Sequence, residues 1–269
     1  MSRGMVAEAF DLSGRVAIIT GAARGIGKAG AAVLGDAGAH VVIVDVLDAE
    51  AKATAGELSA AGVSCEAGHL DVSDQAAVDA FIADVVARHG RLDVMINNAG
   101  IIVDSTPLEV TEAELDRVHA VNFKGVVFGS QAAARAMIPH RRGSIINITS
   151  GAVDIAAPAV IAYSTAKAAA AQFSRSLAME LGRHNVRVNT IAPGWVDTPM
   201  NERHVLTDTG EVDPERKAAY VEMRARMSAL GVPGEPEDQA FAMLYLAADA
   251  SKFVSGAVIR PNGGATMPW

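Results

Sequence analysis

Arg15-Val-Ala-Ile-Ile-Thr20 runs without a break into Gly21-Ala-Ala-Arg-Gly25-Ile-Gly27, and this stretch decides the fold. Its first half is a short β-branched run, the pattern of a buried strand, and the glycines that follow mark a turn. The Ala-rich segment Lys28 to Ala37 then reads as a helix. Strand, glycine turn and helix in that order suit a phosphate. Glycines let the backbone turn sharply and approach a pyrophosphate, and a helix N-terminus offers free N–H groups with a partial positive charge. His40-Val-Val-Ile-Val-Asp45 reads as a second strand, ending in a carboxylate eighteen positions after Gly27. That is where an acidic residue accepts the ribose hydroxyls of a dinucleotide. The spacing Gly-x-x-x-Gly-x-Gly differs from the commoner Gly-x-Gly-x-x-Gly, so the general fingerprint is met in kind rather than in letter.

The alternation continues downstream. Val63 to Leu70, Leu92 to Asn97, Ser144 to Thr149, Val186 to Ala192 and Gly256 to Arg260 read as further strands with helical segments between them. The predicted fold class is α/β: a single-domain, Rossmann-type, doubly wound parallel sheet of about seven strands with helices on both faces. One domain accounts for residues 1–269, with its core at about 12–264 and short extensions at each end. Ligands of such sheets lie outside the carboxyl ends of the strands, and Asp45, Asp71, Asn98, Ser150 and Pro193 all fall at or just after such ends.

Composition narrows the function classes. The chain is 50% hydrophobic and 20% charged, enough to bury a large core. Its net charge of −8 argues against nucleic acid, since phosphate binding needs basic patches; Arg141-Arg142 read instead as charge at a helix end. No stretch reaches the length of a membrane span or of a signal-peptide core, so the expectation is a soluble, cytoplasmic protein. The single cysteine, Cys65, excludes an internal disulfide framework and is expected to pack in a strand. The seven histidines show no ligand spacing along the chain, so no metal site is expected.

A second group of residues carries proton-transfer chemistry. Tyr163 and Lys167 stand four apart in Tyr-Ser-Thr-Ala-Lys, within a helical stretch from Ala162 to Leu181, and Ser150 follows the apolar run Ser144 to Thr149. Positions i and i+4 share a helix face, with Cβ atoms roughly 5–6 Å apart, so the ammonium sits beside the phenol. A charge about 4 Å away at an effective dielectric near 20 is worth about 4 kcal/mol, which lowers a phenol pKa by up to about three units before desolvation opposes it. Such a tyrosine exchanges a proton with an alcohol or carbonyl near neutral pH, and Ser150 holds the same oxygen.

Taken together, the chain resembles the short-chain dehydrogenase/reductase family, in its classical subfamily. The resemblance runs from about Leu12 to Gly264 through Thr20-Gly21-x-x-x-Gly25-Ile26-Gly27, Asn97-Asn98-Ala99-Gly100, Asn122, Ser150, Tyr163-x-x-x-Lys167 and Pro193-Gly194, in the family's order. It implies four catalytic residues, Asn122, Ser150, Tyr163 and Lys167, with Asn122 holding a water that links Lys167 to solvent. Lys167, together with Tyr163, would also reach the nicotinamide ribose. It further implies a dinucleotide held by Gly21, Arg24, Gly25, Ile26 and Gly27, by Asp45 with Val46, and by Asp71-Val72 at the adenine. Asn98, Ala99 and Gly100 would stand behind it, and Pro193, Gly194, Val196 and Thr198 around the carboxamide. The C-terminus departs from the pattern: many relatives read Val-Asp-Gly-Gly, whereas this chain has Ile259-Arg-Pro-Asn-Gly-Gly264. A homotetramer is implied, with Met267 and Trp269 either near a subunit interface or in a frayed tail.

Charge argues for NAD as the cofactor. A carboxylate at Asp45 accepts the ribose hydroxyls of NAD and repels the 2′-phosphate of NADP, while Arg24 in the glycine loop is the counter-signal. Between Ser150 and Tyr163 the residues expected to line the substrate pocket are apolar except Asp154, and the segment from about 200 to 230, with Met200, Met223 and Met227, is expected to act as a lid. The partner expected is therefore a small apolar secondary alcohol or ketone, alicyclic and steroid-like compounds included; Arg203 is the one candidate for gripping a carboxylate. Two other readings stand beside an NAD-dependent dehydrogenase: an NADPH-dependent 3-oxoacyl thioester reductase, and a catalytically silent dinucleotide-binding regulator.

Overall fold

Along Val16–Thr20, strand β1, every side chain is buried, although successive residues point to opposite faces. A strand apolar on both faces must be covered on both, and the computed structural model, which describes residues 4–268, shows how. The other strands are β2 (His40–Asp45), β3 (Cys65–His69), β4 (Val94–Asn97), β5 (Gly143–Ile148), β6 (Val186–Ile191) and β7 (Val258–Ile259). They form one seven-stranded sheet in the order β3-β2-β1-β4-β5-β6-β7, with every pairing parallel. The expected doubly wound α/β architecture is thus present, and each expected strand forms within two residues of its reading at either end.

The helices divide between the two faces. On one face Ala17, Ile19, Val41, Ile43 and Ile96 meet α2 (Gly25–Asp36), α3 (Asp48–Ala60) and α9 (Pro236–Ala247) through Leu34, Ala51, Leu58, Met243 and Leu246. On the other, Val16, Ile18, Val42, Met95 and Ile145 meet α4 (Gln75–His89), α6 (Gly125–Met137) and α7 (Ile161–Leu181) through Val78, Ile82, Ala133, Met137 and Leu181. Full burial of each such Ile, Leu or Val contributes about 1.5–3 kcal/mol. Two helices lie outside these layers: α1 (Met5–Phe10) precedes the sheet, and α5 (Glu112–His119) starts at a capping box formed by Thr111 and Glu114. Helix α8 (Pro214–Ala225) belongs to the segment after β6. Among the described residues no helix is long and apolar enough to cross a membrane.

A polar thread runs through this apolar interior. Asn97 of β4 donates to Asn147 Oδ1 of β5 (2.8 Å) and to Ser130 Oγ of α6 (3.0 Å), and Asn147 donates to Ser174 Oγ of α7 (2.8 Å). All four residues are buried. Apolar strands carry little register information of their own; a satisfied buried amide pair supplies it, because slippage would leave polar groups unmatched. Cys65 lies in β3 as expected, half-buried, with Sγ against Ser59 and Ala55.

Candidate active site

The carboxyl ends of β1, β4, β5 and β6 bring the predicted residues to one edge of the sheet. At β1 the chain turns through Gly21 (φ 63°) and enters α2 at Gly25, three residues earlier than composition suggests. No side chain caps α2, so its first N–H groups stay open to a ligand. The loop is packed too tightly for side chains: a Cβ on Gly27 would stand 2.3 Å from Gly21 O, and one on Gly21 2.7 Å from Ala99 Cα. Asn98 ties this loop to β4, its amide donating to the carbonyls of Thr20 (2.9 Å) and Gly21 (2.8 Å), while Thr20 Oγ1 accepts from the Asn98 and Ala99 N–H groups.

Asp45 closes the far side. Its two oxygens accept from Ala23 N and Leu47 N (both 3.1 Å), which fixes the carboxylate at the end of β2 and leaves lone pairs for other donors. Val46 beside it is exposed. Arg24 leans toward α3, with its guanidinium 3.7 Å from Glu50. Asp71 is exposed and accepts from the Ser73 N–H and hydroxyl, whereas Val72 is buried against Gly125. On the opposite wall Pro193 O accepts from Gly151 N (2.7 Å), Val196 is buried, and Thr198 lies over Gly25. These residues leave a cradle bounded by glycine backbone, free helix N–H groups and one carboxylate, which fits a dinucleotide pyrophosphate and ribose.

Tyr163 and Lys167 share one face of α7, with Lys167 Nζ 5.7 Å from the Tyr163 ring centroid, and the Ser150 hydroxyl lies beside the phenol. Lys167 is buried and donates to Ile148 O (2.8 Å). Its burial pushes the ammonium pKa down to about 8. The phenol moves against the sequence-based expectation: burial raises the Tyr163 pKa, and the Ser150 hydroxyl and the Arg203 charge pull it down by less. The expected net lowering fails because desolvation of the phenol itself outweighs the neighbouring groups that favour its ionised form. Gly100 packs against Asn122 and Lys167, since a Cβ there would lie 3.3 Å from Asn122 Oδ1 and 3.4 Å from Lys167 Nζ.

Asn122 occupies a π-helical turn, Ala120–Lys124, between α5 and α6. Its side chain is fully buried and pairs reciprocally with Ile101, accepting from Ile101 N (2.8 Å) and donating to Ile101 O (2.7 Å). Through these two bonds the π turn clamps the loop behind Gly100.

Three contacts around the cleft were invisible in the sequence. Asp154, the polar exception in the predicted pocket, is turned away from it: Arg260, just beyond β7, grips both its oxygens (2.7 and 3.1 Å). Arg203, the candidate carboxylate grip, binds Asp104 instead (2.9 and 3.3 Å) and joins the segment after β6 to the loop after β4. In that segment Trp195, Tyr220 and His204 pack ring to ring, with the Arg224 guanidinium 5.9 Å from the Trp195 and Tyr220 rings. The unusual C-terminal turn is internally satisfied: Asn262 accepts from Gly264 N and donates to Thr266, and Pro261 O accepts from Gln239. Met267 is exposed, and Trp269 lies outside the described residues.

Comparison with known proteins agrees with this geometry. The family profile described as short chain dehydrogenase matches residues 15–208. Momilactone A synthase from Oryza sativa subsp. japonica is 38% identical over 97% of this chain and 93% of its own length. Mitochondrial borneol dehydrogenase from Lavandula x intermedia is 36% identical over 95% of this chain and 92% of its own. The crystal structure of a gluconate 5-dehydrogenase from Burkholderia cenocepacia J2315, in complex with NADP and tartrate, superposes with a TM-score of 0.89 at 31% identity, covering 98% of this chain and all of that one.

Proposed function

Because this chain belongs to the short-chain dehydrogenase family, we propose that it is an NAD(H)-dependent oxidoreductase that interconverts a secondary alcohol and a ketone on an apolar substrate. The observation that carries the reading is the convergence of Ser150, Tyr163 and Lys167 opposite a glycine cradle whose outer wall is the Asp45 carboxylate. Bound in that cradle, the nicotinamide supplies the hydride chemistry. The protein's own residues manage the proton. Ser150 aligns the substrate oxygen, Tyr163 exchanges a proton with it, and Lys167, 5.7 Å from the ring centroid, relays that proton toward solvent beside Asn122. The raised phenol pKa favours the protonated form at neutral pH, so Tyr163 is set to donate when a ketone is reduced.

Support for NAD over NADP comes from charge placement. Asp45 is held by two backbone N–H groups and stays fixed where a 2′-phosphate would lie, and Arg24, the one basic residue of the loop, faces Glu50. The gluconate dehydrogenase binds NADP, so the choice is made on Asp45 and Arg24 rather than on likeness. Support for an apolar substrate comes from neutralisation of the cleft's charges: Asp154 pairs with Arg260 and Arg203 with Asp104, while Ile155 and Met200 stay exposed. Residues from about 200 to 230 act as the lid, latched by Arg203 and Asp104. A homotetramer completes the reading and is checked by light scattering.

Initial rates with NAD and NADP across a panel of cyclic and open-chain secondary alcohols test the proposal. The expected result is turnover of bulky apolar alcohols with NAD, a loss of about 10²–10⁴-fold in Tyr163→Phe, and a relaxed preference in Asp45→Ala. Equal or better turnover with NADP overturns the cofactor assignment, and binding of NADH without turnover of any alcohol would favour a silent regulator.

A further inference from the structure

Folding gathers two histidines and a glutamate that are scattered in the sequence. His40 opens β2, Glu66 lies beside it on β3, where it is in register with Val42, and His89 ends α4 above the same face. His89 Nε2 is 3.2 Å from Glu66 Oε1, His40 Nε2 is 4.0 Å from that oxygen, and all three donor atoms lie within 4.8 Å of one another. The rings of His40 and His89 approach to 4.5 Å between centroids. The three residues are half-buried, at the amino end of the sheet and away from the glycine loop.

One buried nitrogen in this group has no hydrogen-bond partner among the described residues. His40 Nδ1 is matched with Ser64 Oγ at 2.8 Å, whereas His40 Nε2 is buried with no hydrogen bond and faces Glu66 and His89. With Nδ1–H donated to Ser64, Nε2 carries a bare lone pair. That is the tautomer and outer-shell hydrogen bond a metal-binding imidazole uses. Two imidazoles and one carboxylate are the ligand set of an open tetrahedral zinc site, in which water takes the fourth place.

We propose that His40, Glu66 and His89 bind a single zinc-type divalent transition-metal ion that fastens β3 and α4 to β2. Bonds of about 2.0–2.1 Å at tetrahedral angles place donors about 3.3 Å apart, so the group contracts by no more than about 1.5 Å, within reach of side-chain rotation. Arg88 Nη1 meets both oxygens of Glu66 (2.7 and 2.8 Å) and lies 3.2 Å from His89 Nε2, so it must withdraw from the imidazole when a metal binds, while Asp84 holds its Nε (2.9 Å). When Oε1 turns to the metal, Oε2 remains with Arg88, and the guanidinium becomes the outer partner that orients the carboxylate. The absence of thiolate ligands favours zinc, cobalt or nickel over softer ions: Cys65, the neighbour of Glu66, points to the opposite face toward Ala55. Placed at the far end of the sheet from Tyr163, the ion stabilises the fold and takes no part in proton transfer.

Thermal unfolding of chelator-treated full-length protein, with and without zinc chloride, tests this. At roughly a hundredfold excess over the dissociation constant, bound metal is expected to raise Tm by about 5–10 °C for a chain of this length. The rise should vanish in His40→Gln and in His89→Gln, and one equivalent of cobalt(II) should give wild type a tetrahedral visible spectrum that both variants lack. Retained NADH binding certifies that each variant is folded, and either one alone suffices for the comparison. No zinc-dependent rise in wild type, an equal rise in a folded variant, or no cobalt spectrum overturns the proposal.

Discussion

Replacing Arg260 with methionine isolates the contact that ties the end of the sheet to the turn capped by Ser150. The guanidinium meets Asp154 as a fork, Nε to Oδ2 at 2.7 Å and Nη2 to Oδ1 at 3.1 Å, and a third bond from Nη1 reaches Val258 O. The Asp154 side chain is 8% exposed and that of Arg260 25%. No other side chain donates to the Asp154 carboxylate among the described contacts, so Arg260→Met leaves a buried charge alone. Breaking a fully buried pair from one side costs about 3–5 kcal/mol; with a quarter of the arginine in water, about 2–3 kcal/mol is expected, or a fall in Tm of about 4–12 °C. Asp154→Asn should cost about 1 kcal/mol, because the arginine it releases can turn to solvent. The double variant should recover to within about 1 kcal/mol of Asp154→Asn, a coupling of about 2 kcal/mol in a double-mutant cycle read by urea unfolding. Since Asp154 follows the short helical turn Gly151–Val153 that Ser150 caps, kcat should fall in Arg260→Met while KM for NAD holds. Arg260→Met within about 1 kcal/mol of wild type, or strictly additive costs, would refute the reasoning.

Two further predictions follow from burial and packing. Lys167 titrates near 8 in the fold, below its ordinary range, so the unfolded chain binds more protons above that pH. The cost of burying the ammonium is full below pH 8 and is lifted as pH rises toward the unfolded value; wild type should gain about 3 kcal/mol relative to Lys167→Met across that window, by urea unfolding at neutral and alkaline pH. A flat difference would exclude the shift. Gly27→Ala places a methyl 2.3 Å from Gly21 O and 2.7 Å from both Ala22 Cα and Asn98 Nδ2, so the loop must move by about 1 Å. NADH affinity, followed by fluorescence titration, should fall at least about tenfold, and unchanged affinity would show that the loop does not cradle the cofactor.

What was legible in the sequence is what short-range physics controls. The strand at Val16–Thr20, its glycine turn and Asp45 could be read because β-branching, φ > 0 positions and an acidic strand end are local signals. Tyr163 and Lys167 could be paired because a helix fixes which residues share a face. The misreadings involve pairs joined only by the tertiary fold. Asp154 and Arg260 are 106 positions apart and Asp104 and Arg203 are 99 apart, so neither could be subtracted from the pocket's charge in advance. Histidine spacing likewise gave no hint that His40 and His89 would face each other. The direction of the Tyr163 shift was missed for a different reason: neighbouring charge can be counted along a helix, whereas burial can be judged only in three dimensions.

The strand order also sets a schedule for assembly. β1 lies inside the sheet, third of its seven strands; its partner on one side, β2, and then β3 are complete by His69, but its partner on the other, β4, does not begin until Val94. A nascent chain leaving the ribosome therefore exposes one full edge of its most apolar strand while the next twenty-odd residues are being made. Unpaired strand edges recruit other chains, and long-range parallel pairing is slow. The helix made in that interval, α4, packs on Ile18 and Val42 through Val78 and Ile82, so it shields one face of the early sheet before the open edge is closed. The order in which the chain is written thus leaves one edge of its first strand open until β4 arrives to close it.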